Sequence, residues 1–217
     1  SIQLTEEFIE LKVSDVLYSE VHQNGKVYIA ARRDTESEDD SAFTLLTLSF
    51  DEESKAYAIE HVETSLSSMG LEPLDLNNAI IEIFQFSNSG KYLYAQVTDY
   101  ENFHIVVYEI EEDGSLTFKD SANAVEVGFP DYEKNMAISN DDNYLYYSAT
   151  NQIGVFELNS GTGSIYFQNM IGIEGANGMA IESIGVDSLL VVSKDFVRLY
   201  DKDGTGLTLR GELFFEE

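Results

Sequence analysis

The chain has 217 residues, enough for one ordinary domain with a real core, and its 13 Tyr and 13 Phe are more than disordered chains carry. Lys and Arg number 12 against 40 Asp and Glu, a formal net charge of -28 that repels nucleic acid and anionic membrane and favours cations or basic protein surfaces. The absence of Cys excludes disulfides, thiolate nucleophiles and zinc-thiolate sites, and no apolar run approaches the roughly 18 residues of a membrane span.

From the first residues onward the chain reads as strands. Residues 1–12 carry Ile2, Leu4, Phe8 and Ile9 in the spacing of Leu207, Leu209, Leu213 and Phe214 near the end, so the chain is expected to open on a d-like strand. A first a-b-c-d series is expected at Asp15–Val21, Lys26–Ala31, Phe43–Phe50 and Ala56–Val62. Its b–c loop holds the acidic run Asp34–Asp40, read as a solvated loop. A short helical turn is expected near Ser65–Leu71, and Pro73 and Pro130 fall in connections between series.

The second series is expected at Ile81–Phe86, Lys91–Val97, Ile105–Ile110 and Leu116–Asp120, with turns at Asn88–Gly90 and Glu111–Gly114. The third spans Met136–Ser139, Asn143–Ala149, Ile153–Leu158 and Ser164–Met170, and the fourth Met179–Glu182, Ser188–Lys194, Phe196–Tyr200 and Leu207–Leu213. Aligning Tyr28, Tyr94, Tyr146 and Val191 gives spacings of 66, 52 and 45 residues. A meandering four-stranded unit at this period is the pattern of a β-propeller blade. The expected fold is therefore all-β: a propeller with blades at 13–64, 78–122, 133–171 and 177–217, either a complete small ring of four or five blades or part of a larger one.

The second unit carries Ser87-Asn-Ser-Gly-Lys-Tyr-Leu-Tyr94, Ile105-Val-Val-Tyr-Glu-Ile110 and Asp113-Gly-Ser-Leu116. This pattern resembles the blades of lactonase-like seven-bladed β-propellers and related YVTN-type repeats. The third unit is close to it and the others are looser. The resemblance implies a fold and leaves the chemistry open, since one fold hosts many functions.

The most specific local motif is Asp201-Lys-Asp-Gly-Thr-Gly-Leu-Thr-Leu-Arg-Gly-Glu212. Asp201, Asp203, Thr205 and Glu212 take the ligand spacing of an EF-hand calcium loop. Thr208 departs from the aliphatic residue expected there, and the flanks read as strands, so the competing reading is a c–d hairpin. For catalysis, His22, His61 and His104 show no His-x-x-x-His or Ser/His/Asp spacing. Arg32-Arg33 is the only paired cation, and a phosphorylated substrate would want a basic pocket. The Tyr92/Tyr94 and Tyr144/Tyr146 pairs each share one strand face and are expected to pack between blades.

The main functional expectation is a non-catalytic binding or scaffolding module of a larger bacterial extracytoplasmic or surface protein, with an extracytoplasmic or secreted location. It would take a protein or carbohydrate ligand and self-associate through open blade faces. The alternatives are a lactonase-like hydrolase and a calcium-stabilised structural repeat of an adhesin-like protein.

Overall fold

A computed structural model describes residues 13–33, 43–63, 71, 79–99, 102–124, 135–176, 178–203 and 206–215. The expected d-like strand at 1–12, the acidic run at 34–40, both prolines and Thr205 lie outside these residues, as does all of the expected helical turn except Leu71. Sixteen strands form four four-stranded meanders, with no helix among the described residues. The first sheet is β1 (Val13–Val21), β2 (Val27–Arg33), β3 (Phe43–Asp51) and β4 (Ala56–Glu63). The second is β5 (Ile80–Phe86), β6 (Tyr92–Thr98), β7 (Phe103–Ile110) and β8 (Leu116–Asn123). The third is β9 (Asn135–Ile138), β10 (Tyr144–Ala149), β11 (Gln152–Asn159) and β12 (Ser164–Gly172). The fourth is β13 (Ala180–Ile184), β14 (Ser188–Val192), β15 (Phe196–Asp203) and β16 (Gly206–Phe214). Each sheet pairs its strands in chain order, as a β-propeller blade does.

The sequence explains the strands. Val, Ile, Leu and Tyr fill both faces of the inner strands, and all seven residues of β6 are buried. The a–b turns then need one residue in the left-handed region. Gly90 supplies it in the second sheet (φ 69°), and Asp142 occupies the same place in the third (φ 56°), where a side chain is rare. The Asp142 carboxylate accepts from the backbone N–H groups of Asn88 (2.6 Å) and Ser89 (2.8 Å) and from Asn88 Nδ2 (3.0 Å). Three hydrogen bonds hold the strained residue in place.

Strand β4 carries one extra residue, Glu60, opposite the Thr47–Leu48 step of β3. Gln168 in β12 and Arg210 in β16 repeat this bulge. Each bulge residue forms a polar pair across the sheet: Glu60 with Lys26, Gln168 with Glu157 and Arg210 with Asp201.

The chain divides into two compact units, residues 1–86 with 90–119 and residues 87–89 with 120–217. In the first, Tyr28, Ala30 and Leu45 pack against Ile81, Phe84, Leu93, Ala95, Val97, Val106 and Tyr108, face to face between the first two sheets. In the second, Ala137, Tyr146, Ile153 and Val155 pack against Ile181, Leu189, Val191, Phe196 and Tyr200.

Candidate functional site

Alternation along the strands identifies which polar side chains share the packed face of the first unit. On the first sheet, the row Tyr18–Ala30–Leu45–Glu63 runs through the core, the row Glu20–Tyr28–Thr47–His61 lies on one side of it, and Asp15–Arg32–Phe43 on the other. On the second sheet the facing rows include Val97–His104, Ala95–Val106 and Leu93–Tyr108. Arg32, Glu20, Glu63, His61 and His104 thus extend the two apolar faces that pack together.

The three histidines have different surroundings. His22 is 6% exposed; its Nδ1 accepts from the Asn24 backbone N–H (3.2 Å), so its Nε2 carries the proton and donates to the Gly90 carbonyl (2.9 Å). Both ring nitrogens are used, and the residue joins two turns. His61 sits at the rim of a cleft of about 140 Å³ lined by Leu45, Thr47, Glu63, Ser115 and Leu116, with Nε2 3.2 Å from the Asp113 carbonyl oxygen.

His104 is 5% exposed, and neither ring nitrogen has a hydrogen-bond partner among the described residues. Burial lowers its pKa, and the nearby Asp99 charge opposes this in part. The side chain is a neutral imidazole with a free lone pair and a free N–H, which is what a general base and then acid requires. Tyr108, two positions along the same face, is fully buried; burial raises its hydroxyl pKa and the Glu63 charge adds to the rise. Burial also raises the Glu20 carboxyl.

His104 stands in the next-to-last pair of the b–c ladder, opposite Val97. The first sheet has Thr44 in that place, opposite Ala31. Phe43-Thr44 and Phe103-His104 are thus equivalent, and the second sheet has exchanged a small hydroxyl for an imidazole in its core. The repeat frame held this signal. Linear spacing between the histidines does not carry it, because equivalence lies in ladder position.

The lowered pKa has a consequence for stability. Unfolded, His104 titrates near the ordinary imidazole value of about 6.5; folded, it binds its proton only at lower pH. The native state therefore binds fewer protons than the unfolded chain below about pH 6.5. The stability its neutral form contributes is present above that pH, declines as pH falls toward the folded pKa, and levels off below it. Thermal unfolding between pH 7.5 and 5 is expected to show wild type losing more stability than His104→Gln; parallel curves would contradict this.

The proposed calcium ligands are placed as follows. Asp201 and Asp203 lie at the end of β15, and Asp203 pairs with Gly206 where the β15–β16 hairpin turns. Asp201 Oδ1 accepts from Ser188 Oγ (3.2 Å) and from Arg210 Nη1 (3.4 Å). Glu212 lies opposite Arg198, about 10 Å farther along the hairpin, and its Oε2 accepts from Arg198 Nε (3.1 Å). The structure does not bring Asp201 and Glu212 together, and no group of three or more His, Asp or Glu is gathered as metal ligands among the described residues. In the second unit, a recess of about 270 Å³ is lined by Asn151, Gln152, Gly172, Ile173 and Glu174 and contains no histidine.

No protein-family model matches the chain, and no curated protein is similar to it in sequence. Solved structures do match its fold. One is a putative 6-phosphogluconolactonase from Bacteroides uniformis, 14% identical, covering 93% of this chain and 57% of its own, with a TM-score of 0.62. A putative 6-phosphogluconolactonase from Bacteroides fragilis is 15% identical over the same shares, with a TM-score of 0.61. The β-propeller domain of Myceliophteria thermophila Cps50 (Swd1) is 14% identical, covering 89% of this chain and 53% of its own, with a TM-score of 0.53. The chain thus spans little more than half the length of each of these relatives. At such identities the likeness shows the fold, a β-propeller. The main functional expectation, a non-catalytic binding or scaffolding module, is corrected on one point: two of the three structures bear the name of a lactone hydrolase, which is the alternative, and neither of those two bears the name of a scaffold.

Proposed function

We propose that the chain is a lactonase-like hydrolase of the seven-bladed, YVTN-type propeller class that opens a sugar lactone with His104 as its general base. The observation that carries this reading is the likeness of 93% of the chain to the two 6-phosphogluconolactonase structures. His104 supports it, as the one group among the described residues that is buried, neutral and unpaired at both nitrogens.

In this reading the neutral imidazole takes a proton from a water molecule as its oxygen attacks the lactone carbonyl. A tetrahedral oxyanion forms, and the Arg32 guanidinium, on the facing sheet, supplies a fixed positive charge of the sort that stabilises it. Collapse of the intermediate breaks the ring C–O bond, and the imidazolium returns its proton to the departing alkoxide. One lactone and one water give one hydroxy acid, which ionises in solution. The Asp99 charge favours the imidazolium form while it lasts.

The test is direct. With D-glucono-1,5-lactone, and with its 6-phosphate, the acid released by the purified chain is followed in weak buffer against the spontaneous rate. Turnover within the common enzymatic range, about 1–10³ s⁻¹, is expected on at least one of them. Rates equal to the blank on both would overturn the proposal.

A further inference from the structure

Resting on the lactonase reading, we infer that the substrate is a lactone without a phosphate group, and that the charge of the chain excludes the phosphorylated form and expels the product. A phosphate monoester brings about -1.5 to -2 charges and is held in proteins by bidentate Arg or clustered Lys and Arg. This chain carries -28. Its described cations are largely committed: Lys26 pairs with Glu60, Lys91 and Lys119 share Glu109, Arg198 holds Glu212, and Arg210 holds Asp201. Lys202 lies 3.3 Å from the centre of the Tyr144 ring.

The candidate site repeats this balance locally. On the face of the first sheet that packs on the second, Lys26 lies against Gly114 and is already held by Glu60, which leaves Arg32 to face the carboxyls of Asp15, Glu20 and Glu63. Asp15 is the direct cross-strand neighbour of Arg32. Asp99 adds a further negative charge beside His104. A single guanidinium beside a carboxylate suits one carbonyl oxygen. It does not offset a dianion as well.

Hydrolysis turns this field into a direction. A neutral lactone enters without electrostatic cost. It leaves as an aldonate anion and a proton, and the anion is repelled by the surface that admitted its precursor.

The experiment compares kcat/KM for D-glucono-1,5-lactone and its 6-phosphate, each from about 0.01 M to about 1 M NaCl, over which the Debye length falls from about 30 Å to about 3 Å. At low salt the unphosphorylated lactone is expected to be preferred by at least ~10-fold, a discrimination of about 1.4 kcal/mol. Salt should change its kcat/KM less than about twofold, while kcat/KM for the phosphate ester should rise severalfold as repulsion is screened. Preference for the phosphate ester at low salt, or a fall of its kcat/KM with salt, would overturn the inference and leave the lactonase reading standing. Hydrolysis of neither lactone would bring down both.

Discussion

On the lactonase reading proposed above, replacing His104 by Gln is expected to lower kcat/KM for lactone opening by about 10²–10⁴-fold, the usual contribution of a positioned acid–base group. The same residue is a burden to the fold. It is buried in the first unit opposite Val97, and neither nitrogen meets a partner among the described residues. Leaving a buried polar group unsatisfied costs about 1–3 kcal/mol. His104→Leu removes both unpaired atoms at similar volume, and urea unfolding is expected to show a gain of about that size. Loss of activity with a gain in stability is the signature of a group retained for chemistry. A histidine kept for packing would give the reverse: His104→Leu would destabilise, and turnover would follow the folded fraction.

Asp142→Ala is expected to cost about 2–4 kcal/mol in urea unfolding. The carboxylate accepts from two backbone N–H groups and one side-chain amide, and truncation leaves these donors without their acceptor. Its left-handed backbone adds a second effect, because Ala has no side-chain oxygen to favour φ 56°. Asp142→Gly separates the two. Glycine takes that conformation freely and should recover up to about 1 kcal/mol relative to Ala while still lacking the hydrogen bonds. A cost below about 0.5 kcal/mol for Asp142→Ala would show that solvent or neighbouring groups replace the carboxylate.

Much of the fold was legible because strand chemistry is local. The second series was expected at Ile81–Phe86, Lys91–Val97, Ile105–Ile110 and Leu116–Asp120, and strands occur at Ile80–Phe86, Tyr92–Thr98, Phe103–Ile110 and Leu116–Asn123. Alternating apolar residues and Gly-containing turns are enough for that. What escaped was register. Val191 was aligned with Tyr28 and Tyr146, yet Tyr28 packs toward the sheet that follows its own, Tyr146 does the same, and Val191 packs toward the sheet that precedes it. A one-residue slip flips a strand's faces, and the fourth unit, whose a–b turn is short, is displaced by one. The bulges at Glu60, Gln168 and Arg210 escaped for the same reason: they depend on pairing across the hairpin, and no residue type marks them.

The candidate site was less legible. Arg32-Arg33 and the three histidines were noted, but a site built between sheets draws on strands far apart in the chain, and linear spacing carries no record of it. Arg32 and His104 are brought to facing surfaces by ladder register alone. The calcium-like motif shows the converse. Its spacing matches a loop that wraps an ion, but a β-hairpin over the same residues extends the chain and sets Asp201 and Glu212 beside different arginines.

The pH profile of kcat/KM for lactone hydrolysis by the full chain, corrected for spontaneous opening, tests His104 as the general base most directly. That profile reports the titration of the free enzyme's essential base. With His104 in that role, kcat/KM is level at neutral pH and falls about tenfold per pH unit in acid, with a midpoint below the ordinary imidazole value of about 6.5. His104→Gln abolishes the acid limb. A limb that persists in the variant, or a midpoint above that value in wild type, would contradict the assignment.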